Sequence, residues 1–319
     1  MTQPRSGCAA PPRGATAGGL AESDSRRLLG KATLPGVRLL LSIFKLRIGV
    51  LIMISALAGL AITPGPAIGM LQGLVLALSV LVASASAGAF NQYIEADTDR
   101  LMARTRRRAF ASGALSASKL WLAVIGVLLA VAVASAWFIV NPVAALFIFL
   151  GAFFYGVVYT VWLKRRTWAN IVVGGLSGSF AVLAGAAAVD PTLGALPLLL
   201  ALVLFLWTPP HFWSLAIAYQ GDYAAAGVPM LPVVVGVPRA ARIVHANAVA
   251  LVAVSLLPVF FGAGPVVLVG ALLGGAYFLR KTHALARAPS RATAMASFFA
   301  SMVQLSALLA AVAVDAALR

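Results

Sequence analysis

Apolar residues run through this chain in blocks longer than a soluble helix or strand requires. Stretches free of Lys, Arg, Asp and Glu cover 48–94, 120–163, 167–189, 191–221, 243–279 and 292–314. A helix crossing a bilayer needs about 20 apolar residues, so 48–94, 120–163 and 243–279 are each long enough for two. Each of those three carries turn residues near its middle: Thr63-Pro64-Gly65-Pro66, Asn141-Pro142 and Gly262-Ala263-Gly264-Pro265. The pattern predicts nine helices, over 42–62, 69–94, 119–139, 143–163, 169–189, 193–219, 243–261, 265–281 and 294–315.

Composition turns these helices into membrane spans. Of 319 residues 62% are hydrophobic and 10% charged, with a mean hydropathy of +0.99. A soluble domain carries about a quarter charged residues, so a soluble globular fold is excluded. The net charge of +16 first suggests nucleic acid, but the placement of the bases decides otherwise. Of the 24 Lys and Arg, 23 precede the first helix, open it, or follow an even-numbered one, and only Arg319 falls on the other side. The positive-inside rule then puts the N-terminus in the cytoplasm and the C-terminus outside. The expected partner is the lipid bilayer and no nucleic acid. Residues 1–34, rich in Gly, Ala, Pro, Ser and Arg, read as a disordered cytoplasmic tail without a signal peptide. Residues 35–319 form the nine-helix domain. The single Cys8 excludes an internal disulfide, a cysteine metal site and a C-x-x-C-H haem attachment.

With eight acids in the chain, their positions carry information. Glu22 and Asp24 lie in the tail, and Asp190 and Asp315 on the outside. Asn91, Glu95 and Asp99 follow at i, i+4 and i+8, one helical stripe about 12 Å long, with Asp97 pointing away if the helix continues. On the acids alone, a solvated helix end paired with Arg100 and Arg104 explains the pattern equally well. Oxygen donors without His or Cys suit Mg²⁺, which binds through one or two carboxylates and a substrate's phosphates. The cluster Arg104-Thr105-Arg106-Arg107-Arg108 follows at once and suits phosphate or carboxylate.

A second group is Trp207-Thr208-Pro209-Pro210-His211-Phe212-Trp213, running on to Asp222-Tyr223. Two prolines inside an apolar block are expected to break the helix where it lines a cavity. If a helix restarts after them, His211 and Asp222 fall within roughly 20° of one face. An ionisable group inside a span is a functional candidate by default, although a lone His is more often a hydrogen-bonded core residue. The ends of spans 2, 4 and 6 all reach the cytoplasmic edge. The expected architecture is therefore an all-α polytopic membrane protein, two similar helical halves around a central cavity open to the cytoplasmic side.

These residues resemble the UbiA family of intramembrane prenyltransferases, whose first motif has the form N-x-x-x-D-x-x-x-D and whose second acidic motif lies four helices later. Asn91 to Asp99 with Met102-Ala103-Arg104-Thr105, then Tyr159-Thr160-Val161-Trp162-Leu163-Lys164-Arg165, then the Trp207 to Trp213 string, and finally Asp222-Tyr223 with Gly227-Val228-Pro229-Met230-Leu231-Pro232-Val233, look like its protohaem IX farnesyltransferase branch. Three departures stand out. Glu95 replaces the usual Asp, Arg108-Ala109 replaces Arg-Pro, and Gly221-Asp222 replaces a commoner acidic pair.

The resemblance implies transfer of the farnesyl group of farnesyl diphosphate to a vinyl group of haem B, giving haem O. It implies Mg²⁺ at Asn91, Glu95, Asp99 and Asp222, with Asp97 behind them. Lys45, Arg47, Arg104, Arg108 and Lys164 become candidates for diphosphate or propionate contacts. Tyr159 offers a π face to an allylic cation, and His211 an axial ligand to haem iron. The implied setting is a bacterial plasma membrane, with oxidase-assembly partners left open. Two alternatives remain at this stage: another aromatic or tetrapyrrole acceptor, and an ion-coupled transporter.

Overall fold

Each long apolar block divides where its turn residues stop a helix. Asn141 accepts the Ala144 N–H at 2.8 Å and Pro142 opens the next helix. Gly262, at φ 97°, closes a 3₁₀ turn before Pro265 starts another. In the computed structural model, which describes residues 36–318, every regular element is helical. The expected tail and Cys8 lie outside the described residues.

The elements are α1 (Val37–Ile43), α2 (Leu46–Ile62), α3 (Met70–Ile94), α4 (Ala96–Arg100), α5 (Lys119–Ile139) and α6 (Pro142–Phe153). α6 widens into a π-helical segment over Phe154–Leu163. There follow α7 (Asn170–Gly174), α8 (Leu176–Val189), α9 (Ala195–Ala218), α10 (Gln220–Ala225) and α11 (Leu231–Val235). The chain ends with α12 (Val237–Leu256), its 3₁₀ extension Leu257–Phe261, α13 (Pro265–Arg287) and α14 (Arg291–Ala317). α2, α3, α5, α6 and α8 pack as one group, and α9, α12, α13 and α14 as another. Contacts of α8 with α9 and of α2 with α14 join them.

Large apolar side chains lie on the outer surface as well as in the core. Leu71, Leu74, Phe138 and Leu273 face outward, while Ala83, Ala85, Ser86, Ala87 and Ala89 of α3 are buried. In hydrocarbon, burial of large apolar side chains gives no driving force, so helices associate through close backbone approach at small residues. Such an approach occurs between α2 and α8. A methyl group on Gly59 would stand 2.1 Å from the Val182 carbonyl oxygen, and one on Gly185 only 1.7 Å from that of Ala56.

Among the described residues seven stretches are long and apolar enough to cross a membrane: Met70–Ile94, Lys119–Ile139, Pro142–Leu163, Asn170–Val189, Ala195–Ala218, Val237–Phe261 and Arg291–Ala317. α2 is apolar but has 17 residues, and α13 carries Arg280, Lys281 and Arg287 towards its end.

Three expectations need correction. The helix expected from 243 begins at Val237, because Pro238 sits in its first turn, so Arg239 and Arg242 are helical. The span over 169–189 is two helices meeting at Gly175. Most importantly, α9 runs unbroken through Pro209 and Pro210. The prolines remove the N–H partners of the Phe205 and Leu206 carbonyls, but the damage is confined to one turn. Around it, the Thr208 hydroxyl donates to Leu204 O at 3.0 Å and that of Ser214 to Pro210 O at 2.6 Å. α9 ends instead at Ala218, with Tyr219 at φ −123° and ψ 30° before α10. That change of register removes the common face expected for His211 and Asp222.

Candidate active site

The acidic stripe outlives the helix that carries it. Glu95, at φ −93° and ψ 7°, separates α3 from α4. Its N–H still bonds to Asn91 O at 3.0 Å, and that of Asp99 to Glu95 O at 2.8 Å, so the four-residue step is kept. Asn91 Nδ2 donates to Glu95 Oε2 at 2.8 Å. Asn91 and Glu95 are each 2% exposed and Asp99 is fully buried. A buried carboxylate must be paired. Lys164 pairs with Glu95, and Arg108 Nη1 reaches both oxygens of Asp99 at 3.0 and 2.8 Å.

Lys45 joins from the junction of α1 and α2. Its backbone is left-handed, at φ 48° and ψ 41°, a conformation costing about 1–2 kcal/mol for a residue with a Cβ. Strain of this kind persists where other contacts over-determine it. Here Lys45 Nζ donates to Asn91 Oδ1 at 2.6 Å and to the Tyr155 hydroxyl at 3.2 Å.

The π-helical segment supplies the facing wall. A turn closed by i to i+5 bonds, such as Lys164 N–H to Tyr159 O at 2.9 Å, sets residues five apart above one another. Tyr155 is thereby aligned with Thr160, and Tyr159 with Lys164. Thr160 Oγ1 donates to Tyr155 O at 2.8 Å and accepts from Asn91 Nδ2 at 3.0 Å. The Tyr155 and Tyr159 rings stack 5.7 Å apart at 18°. Lys45 and Lys164 each lie 5.8 Å from one of their centroids. The cluster thus holds three cations against two carboxylates, an imbalance that favours an anionic ligand.

Two further groups stand apart from it. Arg104 donates from Nη2 to the buried Tyr223 hydroxyl at 2.8 Å, beside an open cavity of about 460 Å³ bordered by Asp222. Deeper on α9, the His211 ring lies between Trp207 and Phe298, with centroids at 4.2 and 4.4 Å. Its Nδ1 is 2.7 Å from Ser301 Oγ, which donates its own proton to Phe298 O at 2.6 Å. With that proton committed, Ser301 accepts from His211, and the network assigns the N–H to Nδ1 and a free lone pair to Nε2.

Residues 52–305 match the UbiA prenyltransferase family. The chain belongs to the UbiA prenyltransferase family. It is 58% identical over 279 residues, 88% of this chain and 97% of the relative, to protoheme IX farnesyltransferase 2 of Paramagnetospirillum magneticum. The protoheme IX farnesyltransferase of Parvibaculum lavamentivorans is 43% identical over 239 residues, 74% of each chain. Among solved structures, a digeranylgeranylglyceryl phosphate synthase aligns with TM-score 0.72 at 20% identity, covering 88% of this chain and 98% of that one. A UbiA homologue of Archaeoglobus fulgidus, bound to DMAPP and Mg²⁺, aligns at 0.68 and 16%, covering 84% and 98%. As a UbiA-family prenyltransferase with seven membrane-crossing stretches, the chain is an integral membrane enzyme.

Of the residues singled out in the sequence, this UbiA-family fold gathers Lys45, Asn91, Glu95, Asp99, Arg108, Tyr159 and Lys164. It does not bring in the others. Asp97 is 90% exposed and pairs with Arg100 at 3.1 Å, on the far side of the helix. Arg47 is exposed, Asp222 and Arg104 border the separate cavity, and His211 packs against α14. Among the described residues no three His, Cys, Asp or Glu side chains converge on one point, so the five metal ligands expected from the sequence are not assembled together. The sequence pattern pointed to neither Thr160 as a partner of Asn91 nor Tyr155 as a partner of Lys45. Both are aligned by the wide turn, which a 3.6-residue period does not show.

Proposed function

We propose that this enzyme transfers the farnesyl group of farnesyl diphosphate to a vinyl group of haem B, forming haem O. The observation that carries the reading is the cluster of buried Asn91, Glu95, Asp99 and Lys164 with half-buried Lys45 and Arg108, an anion site set against two stacked tyrosines. Relatives named protoheme IX farnesyltransferase support the choice of acceptor.

In this reading the diphosphate lies against Lys45, Lys164 and Arg108, whose charges stabilise the departing group more than the intact ester. Asn91, Glu95 and Asp99 form an all-oxygen donor set that suits Mg²⁺, and their site also offers the cations that an accompanying diphosphate needs. When bound, Mg²⁺ would neutralise charge on the leaving diphosphate. The allylic C–O bond breaks. The Tyr155 and Tyr159 faces lie beside the resulting cation and keep water from it. The vinyl group then forms the new C–C bond through its terminal carbon. Water adds to the adjacent carbon and loses a proton to solvent, so the product gains one farnesyl group and one hydroxyl group and diphosphate leaves. His211 Nε2 is the proposed ligand to haem iron, its partner Ser301 holding the other ring nitrogen as metal-ligating histidines require.

The fold belongs to the same proposal. α2 and α13 join the seven stretches above to make nine spans around a cavity open to the cytoplasm. The N-terminus is cytoplasmic, the C-terminus lies outside, and the membrane is a bacterial plasma membrane.

Membranes containing the enzyme, given farnesyl diphosphate, Mg²⁺ and haem B, are expected to yield haem heavier by one farnesyl and one hydroxyl group, and EDTA should abolish the product. EDTA-sensitive transfer to a phenolic acid, with haem unchanged, overturns this in favour of another acceptor. His211→Ala is expected to shift the Soret band of the haem complex and slow turnover at least tenfold. An unaltered spectrum with normal turnover removes His211 from the site.

A further inference from the structure

At the edge of the helices, three elements bring basic and aromatic side chains to one open cavity of about 460 Å³. Arg104 comes from the segment after α4, Tyr219 and Asp222 from the end of α9 and from α10, and Arg291 from the first residue of α14, with the buried Tyr223 behind Arg104. The guanidinium carbons of Arg104 and Arg291 each lie 5.3 Å from the Tyr219 ring centroid, and that of Arg104 is also 5.3 Å from Tyr223. Neither arginine has a carboxylate partner among the described residues. Elsewhere the fold pairs such groups, as in Arg108 with Asp99 and Arg100 with Asp97.

Two like charges on one tyrosine repel each other unless an anion is shared between them. Cation–π contact with the tyrosines holds both guanidinium groups at the cavity, and their remaining N–H donors suit planar carboxylates. Asp222 borders the same cavity and repels an anion placed over it, which steers a ligand's carboxylates towards the arginines. Lys45, Lys164 and Arg108 do not line this cavity. The apolar layer next to it holds Met102, Tyr159, Trp213 and Tyr223 in one cluster. An amphipathic ligand resting on that layer would keep its carboxylates at the rim and turn its apolar edge towards Tyr159. His211 lies eight residues before Tyr219, about 12 Å deeper along α9.

We propose that Arg104 and Arg291, which meet at the Tyr219 ring, clamp the two carboxylates of the tetrapyrrole acceptor. The clamp sets which edge of the macrocycle faces the allylic carbon. The inference rests on the haem reading above, and Arg291, absent from every motif in the sequence, is its specific element.

The test is a Soret titration of the full-length protein in phosphatidylcholine vesicles, with haem B and with its dimethyl ester, alongside turnover. The wild type should bind haem B at least tenfold more tightly than the ester. Arg291→Gln should weaken haem B about tenfold, leave the ester unchanged and leave KM for farnesyl diphosphate unaltered, with Arg291→Lys between. Equal losses for haem B and ester would make Arg291 structural, and a raised KM for farnesyl diphosphate would make this a diphosphate site. Either result overturns the proposal. So does Arg291→Gln without effect in phosphatidylcholine when added phosphatidylglycerol competes with haem in the wild type, which marks a lipid headgroup site. The two readings also fail separately. Carboxylate-dependent binding without farnesylated product leaves the clamp and removes the reaction, whereas product formed equally well from the ester does the reverse.

Discussion

Glu95→Gln should lower farnesyl transfer at saturating substrates by about two to three orders of magnitude, the loss typical when one pre-organised electrostatic group is removed from a reacting centre. The change keeps the shape of the side chain and an acceptor for Asn91, but it deletes the charge opposite Lys164. Lys164, only 7% exposed, is left with no carboxylate, and breaking such a buried pair costs about 3–5 kcal/mol. Loss of stability and loss of catalysis therefore arrive together and need separating. In Glu95→Gln/Lys164→Met both members of the pair are neutral, so its unfolding midpoint should recover towards the wild type while turnover stays low. Glu95→Asp keeps the charge with a shorter reach and should retain most activity. Turnover is read as farnesylated haem by mass spectrometry, and Glu95→Gln within threefold of wild type would refute the role given to this residue.

The second large effect is structural and lies far from any charge. Gly185→Ala should lower the stability of the detergent-solubilised protein by more than about 3 kcal/mol, the upper end for ordinary overpacking. The added methyl meets the backbone oxygen of Ala56, at 1.7 Å, and a main chain cannot swing aside as a side chain can. The α2–α8 contact would have to open. Gly126→Ala is the control, because nothing lies within 4 Å of a methyl there. By helix propensity alone that change should be neutral or stabilise by up to about 1 kcal/mol. Thermal unfolding followed by tryptophan fluorescence compares the two, and similar midpoints would contradict the close packing of α2 on α8.

How much was legible in the sequence depended on the physics behind each element. The helices were readable because hydrocarbon imposes one length and one composition on every span, and because Pro64, Pro142 and Pro265 mark their turns. The Asn91, Glu95 and Asp99 stripe was readable because it follows the helical period and keeps it across the end of α3. Three things were not. The prolines at 209 and 210 suggested a break, yet the helix continues through them, with only the two carbonyls of one turn losing their N–H partners. Lys45 meets Asn91, 46 residues away, only through a left-handed backbone that nothing local in Phe44-Lys45-Leu46 announces. Thr160 and Tyr155 enter the site through a five-residue turn, so a projection with 3.6 residues per turn scatters them around the helix. The partnership of Arg291 with Arg104 joins positions 187 apart, and no local pattern encodes such a distance.

The pairing of Lys164 with Glu95 and of Arg108 with Asp99 has a consequence for turnover. Of the three cations proposed to receive the diphosphate, Lys164 and Arg108 are already paired with carboxylates of the protein. In that reading substrate entry is for these two an exchange of counter-ions, and Lys45 supplies the charge left unpaired among the described residues. Part of the attraction is surrendered on binding and recovered on release, when the internal acids take back their partners. A site of bare cations would hold pyrophosphate as firmly as it held the substrate. This one is built to let the spent leaving group go.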